Sequence, residues 1–120
     1  MHALIAAESA RLGISRRDIA EREIVERCLY PLINEGALIL EEGIALRASD
    51  IDVTYVYGYS FPIYRGGPMF WADQLGLENA LQTIKGFHEA CYGDVWQTAP
   101  LIERLAAEGS SFAEFDKGRA

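Results

Sequence analysis

The run His88-Glu89-Ala90-Cys91 comes closest to metal chemistry in this chain, because it follows the zinc-binding pattern H-E-x-x-H up to its last position. Tyr92 stands where the second histidine of that pattern belongs. His88 and Cys91 would share one face of a helix, but two ligands are too few for zinc and no third candidate is close in sequence. The spacing therefore predicts a histidine at the margin of an apolar helix face, and we expect no metal-binding residue.

The run Arg65-Gly66-Gly67-Pro68 allows two interpretations. It could place a guanidinium and unobstructed backbone amides at the start of a helix, where the partial positive charge of the helix end attracts anions. Alternatively, it is a turn that needs a flexible backbone before a helix that begins at proline. Neither G-x-G-x-x-G nor G-x-x-x-x-G-K occurs in the chain, so we expect no cofactor-binding residue.

The candidates for nucleophilic or acid–base catalysis lack their partners. Ser60 is not in a G-x-S-x-G setting, and neither cysteine has a histidine placed by a known motif. The neighbouring carboxylates Glu41 with Glu42 and Asp50 with Asp52 are typical of solvated helix faces and helix caps. We therefore expect no catalytic residue in this chain.

Tyrosines cluster between residues 55 and 64, and Trp71 follows them closely. Such clusters stack nucleic-acid bases in some proteins, but this chain carries a formal net charge of -7. Binding of a polyanion depends on clustered Lys and Arg, so nucleic acid is not expected as a partner. The cluster is more typical of a core or a protein interface.

The composition is that of one folded domain with a substantial core, since 50% of the 120 residues are hydrophobic and 24% are charged. Cys28 and Cys91 are far apart and form no motif, which favours a reducing compartment, and we expect a cytoplasmic location. The first 14 residues have no basic start followed by an apolar run and do not predict a secretory signal. No apolar stretch approaches the length of about 18 residues that indicates a membrane span, so we expect no membrane insertion.

The longest predicted element is a helix over residues 21–47, in which apolar or small residues recur every three or four positions. These residues are Ile24, Cys28, Leu29, Leu32, Ile33, Gly36, Ala37, Leu40 and Ile44. Pro31 lies inside this helix and lacks an amide donor, which predicts a kink. Gly36 and Gly43 lie one heptad apart, and each weakens a helix by about 1 kcal/mol relative to alanine, so we expect another helix to approach closely there.

A second helix is predicted over residues 51–57, ended by Gly58. Ser49 and Asp52 have the spacing of a capping box at its start. The alternating aromatics of residues 55–61 leave an extended segment as the alternative, but the cap and the glycine favour the helix.

Further helices are predicted where an apolar pattern is closed by glycine. They cover residues 3–12, 68–75, 77–91 and 100–108, with a helix restart at residues 15–18. The tail of residues 110–120 is expected to fray beyond Phe115. The chain is thus predicted to be all-α, a single bundle of five to six helices around one long, Pro-kinked helix.

Three segments together identify a family. They are residues 23–37 (EIVERCLYPLINEGA), 46–52 (LRASDID) and 58–73 (GYSFPIYRGGPMFWAD). In order and spacing they resemble the helical C-terminal domain of 3-hydroxyacyl-CoA dehydrogenases. The strongest resemblance is to the last such domain of the multifunctional fatty-acid β-oxidation enzymes, which join enoyl-CoA hydratase and dehydrogenase activities. The similarity covers roughly residues 13–112.

The resemblance also implies where the chemistry of the family lies. In that family, an NAD-binding Rossmann domain carries the catalytic histidine and glutamate, and this chain contains none of it. The helical domain normally opens its long helix with a Gly-Phe-x-x-Asn-Arg pattern whose asparagine helps orient the substrate. Here Arg27 fits that pattern, but Glu26 stands in the place of the asparagine and the Gly-Phe pair is missing. Because a carboxylate cannot donate the hydrogen bonds of an amide, we do not assign the role of the asparagine to Glu26.

The resemblance therefore implies a non-catalytic packing and pseudo-dimerisation domain of a parent dehydrogenase. Its partners would be the other domains of the parent or a second copy of itself, with acyl-CoA contacted only indirectly and NAD bound elsewhere. Residues 1–14 would form an N-terminal helix or linker, residues 15–112 the domain, and residues 113–120 a tail. Two alternatives remain: a stand-alone helical homodimerising interaction module, and a small enzyme with a site around Arg65 and His88.

Overall fold

The structure is a computed structural model that describes residues 1–90 and 93–119. Within these residues the chain folds into seven α-helices and contains no strand, which confirms the predicted all-α class. The helices are α1 (His2–Arg11), α2 (Glu21–Glu41), α3 (Ala48–Gly58), α4 (Pro68–Leu75), α5 (Leu77–Ala90), α6 (Pro100–Glu108) and α7 (Phe112–Gly118). Two short 3-10 turns cover Ile63–Arg65 and Asp94–Trp96. Across the part of the chain that is described, no helix has both the length and the apolar character needed to cross a membrane.

The centre of the core is one face of α2. Tyr30, Ile33, Ala37 and Leu40 follow the helical spacing and are buried, and α2 packs against α4, α5 and α6. Pro31 lies inside α2, with helix on both sides of it. Deeply buried apolar residues of the other helices include Met69 and Ala72 in α4, Ala80 and Ile84 in α5, Leu101 and Ile102 in α6, and Phe112 in α7.

α2 is shorter than the predicted helix over residues 21–47, since it ends at Glu41. Gly43 adopts a φ of +72°, the left-handed conformation that commonly follows the end of an α-helix. The apolar pattern nevertheless continues past this point to Ile44, which is exposed, and it also includes Ile24, which is exposed near the start of α2. Periodicity therefore located the helix correctly but overestimated the length of its buried stripe.

The N-terminal segment contributes nothing to the buried core. None of the residues of α1 is buried, although the predicted closing glycine, Gly13, does adopt a left-handed φ of +68°. Residues 14–20 are not helical and are exposed, so the predicted helix restart at residues 15–18 is wrong. A new helix begins only at Glu21.

α4 and α6 begin and end at the predicted residues. Each begins at a proline, whose fixed φ suits the first position of a helix, and each is followed by a glycine. α5 begins at Leu77, as predicted. Its predicted end at Cys91 lies outside the described residues.

The C-terminal tail forms a helix where fraying was predicted. α7 runs to Gly118, and its first residue, Phe112, is almost completely buried. α7 packs against α3 and α4, so its apolar residues join the main core instead of remaining in solvent. The prediction of fraying beyond Phe115 is therefore wrong.

Candidate functional site

Asp52, in α3, caps the start of α4. Its carboxylate accepts hydrogen bonds from the backbone N–H groups of Met69 and Phe70, at 2.7 and 3.0 Å. The predicted capping box with Ser49 at the start of α3 is therefore wrong, because the side chain of Asp52 serves a different helix. Asp52 was correctly predicted to be a capping residue, but its partners lie 17 and 18 positions further along the chain.

Two other aspartates continue this arrangement and close it into a ring. Asp73, in α4, accepts from the backbone N–H of Phe112 at the start of α7, at 2.9 Å. Asp116, in α7, accepts from the backbone N–H of Ala48 at the start of α3, at 2.7 Å. Thus α3 caps α4, α4 caps α7 and α7 caps α3. Each cap satisfies backbone donors that a helix leaves unpaired in its first turn.

Partial burial raises the pKa of two aspartates in this ring. It raises the pKa of Asp52 to about 6 and raises the pKa of Asp73, while the backbone N–H groups that donate to each carboxylate oppose the rise. The negative charge of Asp116 adds to the rise in both pKa values. At pH 7, Asp52 is therefore mainly ionised and places its negative charge at the partially positive start of α4.

The glycine pair Gly66 and Gly67 makes room for this cap. Their φ angles are +75° and +112°, which suit a residue without a Cβ. A Cβ at Gly67 would overlap the carboxyl group of Asp52, and a Cβ at Gly66 would lie 2.6 Å from the Phe70 ring. The geometry supports the interpretation of this run as a turn. Asp52 accepts from the amides of Met69 and Phe70 at the start of α4, where the alternative interpretation had placed an anion.

His88 is exposed on α5. It lines a surface depression together with Lys85, Gln97 and Glu103, and Lys85 forms an ion pair of 2.9 Å with Glu103. Cys91, the second residue of the zinc-like run, lies outside the described residues. Among the described side chains, no group of three His, Cys, Asp or Glu residues is arranged to hold a metal ion.

The aromatic cluster divides between core and surface. Trp71 is buried and packs edge-on against Tyr30, with ring centroids 5.6 Å apart. The guanidinium carbon of Arg65 lies 5.7 Å from the centroid of the Trp71 ring. Tyr57 and Tyr64 are instead 80% and 81% exposed. Trp71 therefore belongs to the core, whereas the exposed tyrosines are available to an interface.

Glu26 and Arg27 form ion pairs along the first turns of α2. The side chain of Glu26 accepts from Arg22 at 2.7 Å. Arg27 donates to Glu23 at 2.8 Å, and its guanidinium carbon lies 4.6 Å from the centroid of the Phe87 ring. Glu26, which the resemblance places at the substrate-orienting asparagine of the family pattern, is thus an ion-paired carboxylate, which accepts hydrogen bonds but cannot donate them.

Asn34 is a buried polar residue that sequence reasoning did not single out. Its Oδ1 accepts from the backbone N–H of Ala99 at 2.8 Å, and its Nδ2 donates to the carbonyl of Gln97 at 2.7 Å. These bonds join the middle of α2 to the backbone just before α6. The sequence did contain a signal, because Asn34 lies directly beside the apolar stripe of α2. An amide side chain that is buried at such a position needs hydrogen-bond partners.

An all-helical core in which α3, α4 and α7 are each capped by an aspartate of another helix defines the class of the molecule as an all-α domain. The family model described as 3-hydroxyacyl-CoA dehydrogenase, C-terminal domain, matches residues 24–118. The chain therefore belongs to the 3-hydroxyacyl-CoA dehydrogenase family, as a domain of the C-terminal type, which confirms the resemblance drawn from the three sequence segments.

Similar proteins are several times longer than this chain. The peroxisomal bifunctional enzyme of Danio rerio is 46% identical over 109 residues, which cover 89% of this chain and 15% of that enzyme. The peroxisomal bifunctional enzyme of Homo sapiens is 42% identical over 99 residues, covering 81% and 14%. The peroxisomal fatty acid beta-oxidation multifunctional protein AIM1 of Arabidopsis thaliana is 38% identical over 102 residues, covering 85% and 14%. The chain thus corresponds to only about one seventh of each relative.

The expected cytoplasmic location is contradicted by these relatives. Those from animals and Arabidopsis are named peroxisomal, and one from Brassica napus is named glyoxysomal. The expectation was based on unpaired cysteines, and this pattern reports only that disulfides are not needed. The absence of paired cysteines does not distinguish the cytoplasm from an organelle to which proteins are targeted by short signals that receptors recognise.

Proposed function

We propose that this chain is a non-catalytic helical domain of a multifunctional 3-hydroxyacyl-CoA dehydrogenase that acts in fatty-acid β-oxidation. It packs against the other domains of its parent polypeptide and stabilises the dehydrogenase half. In this proposal NAD binds in a separate Rossmann domain. The helical domain shapes the acyl-CoA pocket only indirectly, through the domains that it supports.

The ion pair between Glu26 and Arg22 is the observation that carries the proposal. It lies at the position where the family pattern has its substrate-orienting asparagine, and a carboxylate there would repel the negative charge of a thioester enolate. The capping of α4 by Asp52 supports the same conclusion, because it fills the glycine-rich helix start that could otherwise have held a phosphate group.

Three measurements test the proposal. The coding sequence upstream of Met1 should encode a Rossmann fingerprint and a hydratase domain. The purified 120-residue chain should not oxidise NADH with acetoacetyl-CoA, and turnover by this chain alone would contradict the non-catalytic assignment. Removing the chain from its parent should lower dehydrogenase activity and thermal stability together, while full activity after its removal would contradict a supporting role.

A stand-alone homodimer is the second candidate, because apolar side chains are exposed on α3 and α4 and a second copy could cover them. Sedimentation equilibrium of the isolated chain distinguishes the two: our proposal expects a monomer at micromolar concentration. The close-approach glycine of α2 cannot be used to test a dimer interface by the substitution Gly36→Leu. A Cβ at Gly36 would overlap the Met69 side chain in the core, so the substitution would disturb folding before it disturbed any association.

A further inference from the structure

A shallow apolar groove runs between α3 and α4. It encloses about 360 Å³, and the turn Ile63–Arg65 closes one side of it. Four apolar side chains line it and remain largely exposed: Val53, Tyr57, Ile63 and Phe70. We call this surface the α3–α4 groove. Exposed apolar side chains that line one concave surface are typical of interaction sites.

Beyond Asp52, the segment that builds the groove is almost uncharged. Between residues 53 and 72 the only charged side chain is Arg65, in a chain that is 24% charged overall. The guanidinium of Arg65 lies against the rings of Tyr64 and Trp71, with its central carbon 5.6 and 5.7 Å from their centroids. Depletion of charge together with enrichment in aromatic residues is the composition of the central part of a stable interface.

Resting on the proposed function, we infer that the α3–α4 groove is the surface by which this domain docks onto another domain of its parent polypeptide. The occupant is an uncharged, apolar face that inserts aliphatic or aromatic side chains between Val53, Tyr57 and Ile63. An anionic occupant does not fit, because the carboxylate of Asp52 lies at the groove and already takes the amides at the start of α4.

Covalent linkage favours a domain of the same polypeptide over a second copy of this chain. The chain spans only 15% of its relative from Danio rerio, so most of such a polypeptide is tethered to it. Tethering gives a neighbouring domain an effective concentration in the millimolar range, which a free second copy does not reach. Two copies would also bring together two net charges of -7.

Photo-crosslinking in the parent polypeptide tests this inference. Val53, in the groove, and Val95, in the turn Asp94–Trp96, are each 57% exposed and form a matched pair. We replace each in turn with p-benzoylphenylalanine, irradiate the protein, and identify the linked peptides by mass spectrometry. Position 53 should link to another domain of the same polypeptide and position 95 should not. A covalent dimer linked through position 53, or no link from position 53, would overturn the inference.

A second pair of variants distinguishes a loss of docking from a loss of folding. Val53→Asp should lower the unfolding temperature of the parent but leave that of the isolated 120-residue chain within about 1 °C, because it places a charge only in the docked interface. Val95→Asp should leave both unchanged. Equal losses in parent and isolated chain would overturn the inference. If removal of the whole domain abolishes activity while position 53 forms no link, the proposed function stands and this surface assignment fails.

Discussion

The carboxylate of Asp73 lies 2.9 Å from the backbone nitrogen of Phe112, although the two residues are 39 positions apart in the chain. The contact brings the start of α7 onto the side of α4, where the Phe112 side chain is buried in the core. A hydrogen bond and apolar burial thus act on the same residue of α7. This combination explains why the last helix is ordered although it is short.

Asp73→Ala should weaken the attachment of α7 to the bundle. The substitution leaves the backbone N–H groups of Phe112 and Ala113 without their acceptor, and loss of a capping side chain costs about 1–2 kcal/mol. We expect that decrease in the free energy of unfolding in urea, together with faster hydrogen exchange over residues 112–118. Asp18→Ala, at an exposed residue outside the helices, is the control and should change neither quantity. Unchanged exchange in α7 after Asp73→Ala would contradict a capping role.

The helix caps show where sequence reasoning succeeds and where it fails. The bounds of α4 and α6 were predicted correctly because proline and glycine at their ends act locally. The capping box assigned to Ser49 and Asp52 failed because it assumed that a cap acts on its own helix. α7 was missed although a local signal was present: Ser111 accepts from the backbone N–H of Glu114 at 3.2 Å, and the two residues have the spacing of a capping box. The additional hydrogen bond from Phe112 to Asp73 spans 39 positions, and no local pattern indicates it.

Gly67→Ala should destabilise the domain more than a glycine substitution normally does. The new Cβ would overlap the carboxyl group of Asp52, and a φ of +112° is unfavourable for alanine, so we expect a loss of about 1–3 kcal/mol. Gly58→Ala is the matched control, because no atom lies within 4 Å of its Cβ position at the end of α3. It should be neutral or slightly stabilising. Equal effects in urea denaturation would contradict the close approach of Asp52 to the glycine turn.

The two glycines predicted on one stripe of α2 have different roles. Gly36 is a close-approach position, as expected, but its neighbour is Met69 in α4 of the same domain. Gly43 has no neighbour within 4 Å and instead takes the left-handed conformation just after α2. Heptad spacing could not distinguish a packing glycine from a terminating one, because both leave the same gap in an apolar pattern.

Deleting residues 1–14 should leave the stability of the helical domain unchanged. None of the residues of α1 is buried, so we expect the free energy of unfolding to change by less than about 0.5 kcal/mol. Deleting residues 112–120 is the contrasting truncation. It removes the buried side chain of Phe112, for which about 3–5 kcal/mol is typical. Urea denaturation measures both, and a comparable loss for both truncations would contradict our proposal that residues 1–14 are an N-terminal helix or linker outside the domain.

Asp52 should make the domain more stable at mildly acidic pH. Burial raises its pKa from 3.8 to about 6, so the folded chain binds this proton more tightly than the unfolded chain does. The contribution of Asp52 is therefore complete below about pH 4 and is lost as the pH rises through about 6. We expect the difference in unfolding free energy between the natural chain and Asp52→Asn to fall between pH 4 and 6 and to be level above pH 7. A difference that rises over this range would contradict the effect of burial.

Glu23 should produce a pH dependence of the opposite sign. Hydrogen bonds from Arg17 and Arg27 lower the pKa of Glu23 from 4.5 to about 2, so its contribution is present above pH 4.5 and is lost as the pH falls towards 2. The difference in unfolding free energy between the natural chain and Glu23→Gln should therefore shrink from pH 5 to pH 3. Because these ion pairs lie near the surface, 1 M NaCl should reduce the difference at pH 5. Asp52→Asn removes a group that is half-buried and not ion-paired, so its pH profile should be less sensitive to salt. Equal salt sensitivity of the two profiles would show that the shift at Asp52 arises from surface charge instead of burial.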